Sequence, residues 1–139
     1  MTYRLTLTVP ELPRSINASD NRNRFLKSAD RGRWGYLLRA ALGRSAKPEV
    51  PLGRFNITFT RYSERTCDYP NLVNGFKLIE DILQPPSKRN PGGLSIIADD
   101  APANYASTWG GADYRQQKAK RGEGRVTIEV IEEVGDDEG

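Results

Sequence analysis

Asp68, Lys77, Asp99 and Asp100 have the types and spacing for metal-assisted chemistry. Carboxylates that converge can hold a hard divalent cation such as Mg²⁺ or Mn²⁺, which prefers oxygen ligands and keeps several waters. A neighbouring ammonium can then steady charge developing on a phosphate oxygen. The chain contains no histidine, which excludes zinc hydrolases, Ser-His-Asp triads, Cys-His pairs and His-Cys-Cys deaminases, since each needs an imidazole. For a hydrolase, what remains is mostly carboxylates around a hard cation, with lysine or arginine as the electrophilic partner.

A helix must present the lysine. Leu72, Phe76, Ile79 and Leu83 recur at helical spacing and form one apolar stripe. Pro70 suits the first turn, where its missing N–H costs no hydrogen bond, so the helix is expected to begin just after Asp68. On that wheel Asn74, Lys77 and Asp81 fall away from the stripe, on a face that could line a polar site. Phe55, Ile57 and Phe59 alternate with polar residues as a strand leading towards Asp68, and Leu94–Ile97 reads as a third strand ending at Asp99-Asp100. The carboxylates would converge if those strands were neighbours. The plainer alternative is a solvated helix surface with an i,i+4 Lys77/Asp81 pair and a turn at Asp99-Asp100.

The remaining elements follow from periodicity. Tyr3, Leu5, Leu7 and Val9 alternate as an opening strand ended by Pro10, and Val126, Ile128 and Val130 as a closing one. Between Pro13 and about residue 31 the chain reads as a polar Arg/Asn loop. Trp34, Leu37, Leu38, Ala41 and Leu42 then predict a helix over 32–42, stopped by Gly43. Residues 105–109 suggest a short fourth strand, and 110–124 a polar, basic segment. The order β-α-β-α-β-β-β predicts one α+β domain over 1–131, a mixed sheet with two helices packed on one face. The acidic stretch 132–139 is expected to be a disordered tail.

Hydrophobic residues make up 37% of the chain and charged ones 28%, a balance expected of a soluble globular protein. No apolar run approaches a membrane span, and the first residues lead straight into a strand pattern, so neither a membrane segment nor a signal peptide is expected. The single cysteine suits a reducing cytoplasm. Charge is uneven: residues 1–47 carry ten Lys/Arg against three acids, which makes the front third a candidate footprint for a polyanion, the plainer alternative being a basic surface that keeps the protein soluble. There Arg14, Arg22, Arg24, Lys27, Arg31 and Arg33 are spaced for successive phosphates, and asparagines such as Asn17 can add sugar or base-edge contacts.

Several motifs together resemble the RusA-type Holliday junction resolvases, small endonucleases common in phages and prophages. They are Leu12-Pro13-Arg14-Ser15-Ile16-Asn17, Asp68-Tyr69-Pro70-Asn71-Leu72, Lys77 through Asp81-Ile82-Leu83, and Gly93-Leu94 through Asp99-Asp100. The resemblance runs from Tyr3 to the last strand. It implies a RusA-like fold and a homodimer in the cytoplasm of a bacterial host, nicking four-way DNA junctions with Mg²⁺ or Mn²⁺ in recombination and repair. It further implies Asp68, Lys77 and Asp100 as catalytic residues, with Asp68, Asp99 and Asp100 as metal ligands. Arg14, Asn17, Arg22, Arg24, Lys27, Asn71, Asn74, Lys88, Arg89, Lys118 and Lys120 would contact DNA. The family's second aspartate falls on Pro70, leaving one carboxylate fewer unless Asp81 or Asp99 makes it up. The family's lysine falls on Asn74 by strict spacing and on Lys77 by a longer one; Lys77 is the reading taken. A non-catalytic protein that binds branched DNA through a degenerate metal site is the alternative.

Overall fold

Alternating apolar residues build the sheet. In the computed structural model, which describes residues 2–13 and 23–134 (backbone only for 23–28), β1 spans Arg4–Val9, β2 Phe55–Ser63, β3 Asp113–Lys118 and β4 Arg125–Glu132. The four form one mixed sheet in the order β1-β4-β2-β3. β4 is antiparallel to both β1 and β2, whereas β3 runs parallel to β2. The register places Leu7 opposite Ile128 and Ile128 opposite Phe59. One face therefore carries Leu5, Leu7, Val9, Ile57, Phe59, Val126, Ile128 and Val130, all buried.

Both helices cover that face. α1 (Asn23–Leu42) contributes Trp34, Leu38 and Leu42 to the core, and α2 (Tyr69–Ile82) contributes Leu72, Phe76, Ile79 and Ile82. This is the expected α+β domain, a mixed sheet with two helices. Gly43 adopts φ +52° after α1, and its N–H closes on the Arg39 carbonyl, the left-handed stop expected of glycine. The start of α1 differs from expectation: Asn23 and Arg24 already lie in the helix. Arginine and lysine are good helix formers whose polarity masks the period.

α2 begins as its sequence predicts. Asp68 is the N-cap, its Oδ1 accepting the Asn71 N–H at 3.0 Å, with Pro70 in the first turn. The apolar run after the helix, expected to be a strand, is not one. Instead the N–H groups of Leu94, Ile96 and Ile97 bond the carbonyls of Ile82 and Leu83 (2.8–3.1 Å), and Ser95 N–H bonds Gln84 O at 3.2 Å. These are the carbonyls a helix end leaves unpaired, so 94–97 satisfies the C-terminal end of α2. Its link to the rest is a single parallel bridge, Leu52 with Ile97. Gly93 permits the fold-back, because a Cβ there would meet Gln84 O at 2.3 Å.

Two further expectations change. Residues 105–109 hold no strand: a short 3₁₀ turn at Pro102–Asn104 leads to one bridge between Tyr105 and Phe55. The strand lies instead within the polar segment 110–124, as β3, paired so that Tyr114 neighbours Phe59. An edge strand needs few apolar residues, so its DYRQQK sequence shows no alternation. At the C-terminal end, Glu132 belongs to β4 and Glu133 N–H bonds Arg54 O at 3.0 Å. The rest of the expected tail, 135–139, lies outside the described residues.

Candidate functional site

Aromatic residues on β2 organise the site. Phe55 holds Tyr105 edge-to-face at 5.0 Å, and Phe59 stacks on Tyr114 at 5.5 Å and on Phe76 of α2 at 4.8 Å. The two phenols are thereby aimed at one carboxylate: Tyr105 Oη donates to Glu80 Oε2, and Tyr114 Oη to Glu80 Oε1 at 3.5 Å. Burial, then bonding to and charge from Glu80, pushes the Tyr105 phenol well up; burial and Glu80 do the same to Tyr114. Both hydroxyls therefore remain protonated donors at neutral pH.

Around this pair lies a cleft of ≈ 340 Å³, lined among others by Tyr69, Lys77, Glu80, Asp100, Tyr105 and Trp109. Burial raises the Glu80 carboxyl above its ordinary range. The Tyr105 hydrogen bond opposes that rise, the charges of Asp100 and Asp81 add to it, and Lys77 opposes it. Asp81 is raised as well, first by burial and then by Asp100, against the pull of Arg31 and Lys77. Asp100 is thus an electrostatic neighbour of both acids in the last turns of α2. Its loop is turned there by a hydrogen bond from its own N–H to Asp99 Oδ1, at 2.7 Å.

The structure brings Lys77 and Asp100 to one cleft and adds Glu80. Asp68 does not line that cleft. It is engaged in capping α2, about 14 Å along the helix axis from Lys77 at 1.5 Å per residue. Asp99 is exposed beside Asp100. Among the described residues, no three His, Cys, Asp or Glu side chains form a group able to hold a metal ion, so Asp68, Asp99 and Asp100 are not gathered as such a set. Glu80 and Asp100 do suit a cation that needs only one or two protein carboxylates and takes its other ligands from water and substrate phosphate, the usual habit of Mg²⁺.

Glu80 was hidden in the sequence by its charge, which reads as a solvated surface residue. The signal that could reveal it is its place on the wheel: it lies four residues after Phe76, on the flank of the buried stripe rather than opposite it. Its phenolic partners come from distant segments.

The expected DNA contacts are spread over the molecule. Asn71 and Asn74 are exposed on α2, Lys88 and Arg89 in the loop after it, and Lys118 and Lys120 at and beyond the end of β3. The start of α2 and the Lys118 corner lie together, because the Gln116 side chain accepts the Cys67 N–H at 3.0 Å and donates to Cys67 O at 2.7 Å. Arg24 and Lys27 are placed on α1 by their backbone, and Arg14, Asn17 and Arg22 lie outside the described residues. Pro13, just before Arg14, packs near Gly75 of α2, and its carbonyl accepts from Arg61 at 3.4 Å. No helix among the described residues is long and apolar enough to cross a membrane. Compared with known proteins, the chain matches no family model and no curated sequence.

Proposed function

We propose that this chain is a divalent-metal-dependent endonuclease that acts, as a homodimer, on four-way DNA junctions, the reading implied by its resemblance to the RusA-type resolvases. The observation that carries it is the shared cleft in which Lys77 meets Glu80 and Asp100, delivered by α2 and by the loop that caps it. Glu80 and Asp100 would hold Mg²⁺ or Mn²⁺, which supplies Lewis-acid polarisation of the phosphodiester. Lys77, exposed at the rim, neutralises charge that builds on the phosphate oxygens during cleavage. Tyr105 and Tyr114 hold the Glu80 carboxylate in place, one phenol on each oxygen. Tyr69 and Trp109, each 55% exposed, border the cleft and limit how a strand can enter. A symmetric dimer suits the substrate, since two equivalent sites meet two equivalent strands.

A second reading is favoured by a specific observation. Pro70 stands where the family has an aspartate, and no three-carboxylate group is assembled among the described residues. A protein that binds branched DNA without cutting it would have that appearance. The two readings separate when a labelled four-way junction is incubated with the protein in Mg²⁺ or Mn²⁺. Symmetric nicks that disappear in Lys77→Ala support the enzyme; tight binding with no nicks at any metal concentration leaves only the binding protein. Occupancy of the cleft can be followed at the same time. Trp34 is buried at 3% exposure whereas Trp109 sits at the cleft, so junction binding there should quench the emission of Trp109 and spare that of Trp34.

A further inference from the structure

A second cleft lies on the other side of the last turns of α2, between α1 and the loop 84–93. It encloses ≈ 220 Å³ and is lined by Arg31, Gly35, Arg39, Asn90 and Gly92, among others. It is continuous, through Arg31 and Asn90, with an open groove of ≈ 570 Å³ that adds Asp81 and Arg89. Two glycines make room for one guanidinium: a Cβ on Gly35 would come within 3.4 Å of Arg39 Nη1, and one on Gly92 within 3.2 Å. Arg31 Nη1 donates to the Arg89 carbonyl at 2.9 Å, tying helix to loop. Among the described residues, none of these three arginines forms an ion pair with a carboxylate.

Asn90 supplies a separate observation. Only 7% of it is exposed, and its Nδ2 donates to Asp81 O at 2.8 Å and to Pro85 O at 3.3 Å. With both donors used, Oδ1 is buried and has no hydrogen-bond partner among the described residues. Native structures seldom leave such an acceptor unpaired unless a water or ligand serves it. The site thus combines three guanidiniums, each with a fork of N–H donors, with a buried, unserved acceptor on one of its lining residues.

We propose that this arginine cleft binds a phosphate of the nucleic-acid backbone and so carries the substrate strand past the end of α2. The assignment rests on the proposed nucleic-acid substrate. It names where a strand reaching Lys77 continues: Asp81, which lines the groove, lies four residues beyond Lys77, about 6 Å along the axis. Asp81 is the opposing charge in the groove, and Arg31 counters it. Planar guanidiniums grip the oxygens of an oxyanion two at a time, which favours a group such as phosphate over a halide.

The test uses the full chain in EDTA, so that cleavage plays no part, with a fluorescein-labelled unbranched duplex titrated across a range of salt. Arg39 and Arg89 are both exposed, so the double variant Arg39→Ala/Arg89→Ala is expected to fold, which its circular dichroism checks. It should bind several-fold more weakly at low salt, and the slope of log affinity against log salt should flatten by about 0.9 for each lost phosphate contact. Inorganic phosphate serves as the second probe and should compete only weakly. An unchanged slope in the folded double variant would overturn the proposal, as would a parent chain that binds no duplex. Tight inorganic phosphate binding that depends on the two arginines, with duplex affinity unaffected, would make this a free-anion site instead. Loss of the nuclease reading shows elsewhere, as a parent chain that fails to nick in metal while the arginine dependence in EDTA persists.

Discussion

The two clefts on either side of the end of α2 share a helix and differ in almost everything else. Lys77 and Glu80 face one, Asp81 and Ile82 face the other, and consecutive residues Glu80 and Asp81 divide between them because each helical step turns by 100°. The first cleft is aromatic and acidic, with a partly buried carboxylate held by two phenols. The second is guanidinium-rich and glycine-lined, with charge left to solvent or to a ligand. The difference teaches where electrostatic energy is concentrated. Burial raises the carboxyl of Glu80, so its charged form is costly there unless a cation joins it. The arginines of the second cleft present forks of N–H donors and suit docking.

Both clefts depend on the seating of α2, so the largest effect should come from unseating it. Phe76 is fully buried and stacked on Phe59. Phe76→Ala should cost about 3–5 kcal/mol in urea unfolding and weaken both clefts together. If one cleft kept full function in a folded Phe76→Ala protein, their common dependence on the helix would be refuted. Removing the cap acts on the same helix more gently: Asp68→Ala should cost about 1 kcal/mol, read as a shift of the urea midpoint with the m-value unchanged.

Glu80 sharpens the contrast through pH. Its folded pKa is raised above the unfolded one, first by burial, so its contribution to stability is fully present below the ordinary glutamate range and is lost as pH rises through the raised value. Glu80→Gln keeps an acceptor for Tyr105 and removes that loss. It should melt a few degrees higher than the parent near pH 7 and converge with it near pH 4, as thermal scans across that range would show. Equal melting temperatures at every pH would mean that the carboxylate is not desolvated as described. The smallest effect belongs to the other side: Arg31→Ala should push the Asp81 carboxyl further up, since Arg31 now holds it down, which a carboxyl-carbon NMR titration would register.

How much of this could be read in the chain depended on whether a residue's role was local. Alternating Leu5-Leu7-Val9, Phe55-Ile57-Phe59 and Val126-Ile128-Val130 declare strands because burial on one face forces period two. The α2 stripe and its Asp68-Tyr69-Pro70 entry declare a helix for equally local reasons. β3 was illegible because an edge strand paired to Phe59 needs only Ala112 and Tyr114 turned inward. Leu94–Ile97 misled because a buried apolar run looks alike whether it joins a sheet or pairs with the carbonyls at a helix end. In the site, Lys77 and Asp100 were legible from residue type and spacing. Glu80 was not, because its phenolic partners lie 25 and 34 residues away in sequence. Arg39 and Asn90 gave no signal, since their meeting requires the packing of loop 84–93 on α1.

The most direct measurement of the central claim is the rate at which a labelled four-way junction is nicked in saturating Mn²⁺ by the parent, Asp100→Asn and Asp68→Ala, each under conditions where it is folded. If catalysis resides beside Lys77 and Glu80, Asp100→Asn should lose about 10²–10³-fold in rate while still binding the junction, and Asp68→Ala should stay within about threefold of the parent, a small change beside the loss at Asp100. Abolition of nicking by Asp68→Ala, with Asp100→Asn nearly as fast as the parent, would contradict the account and move the metal site to the start of α2.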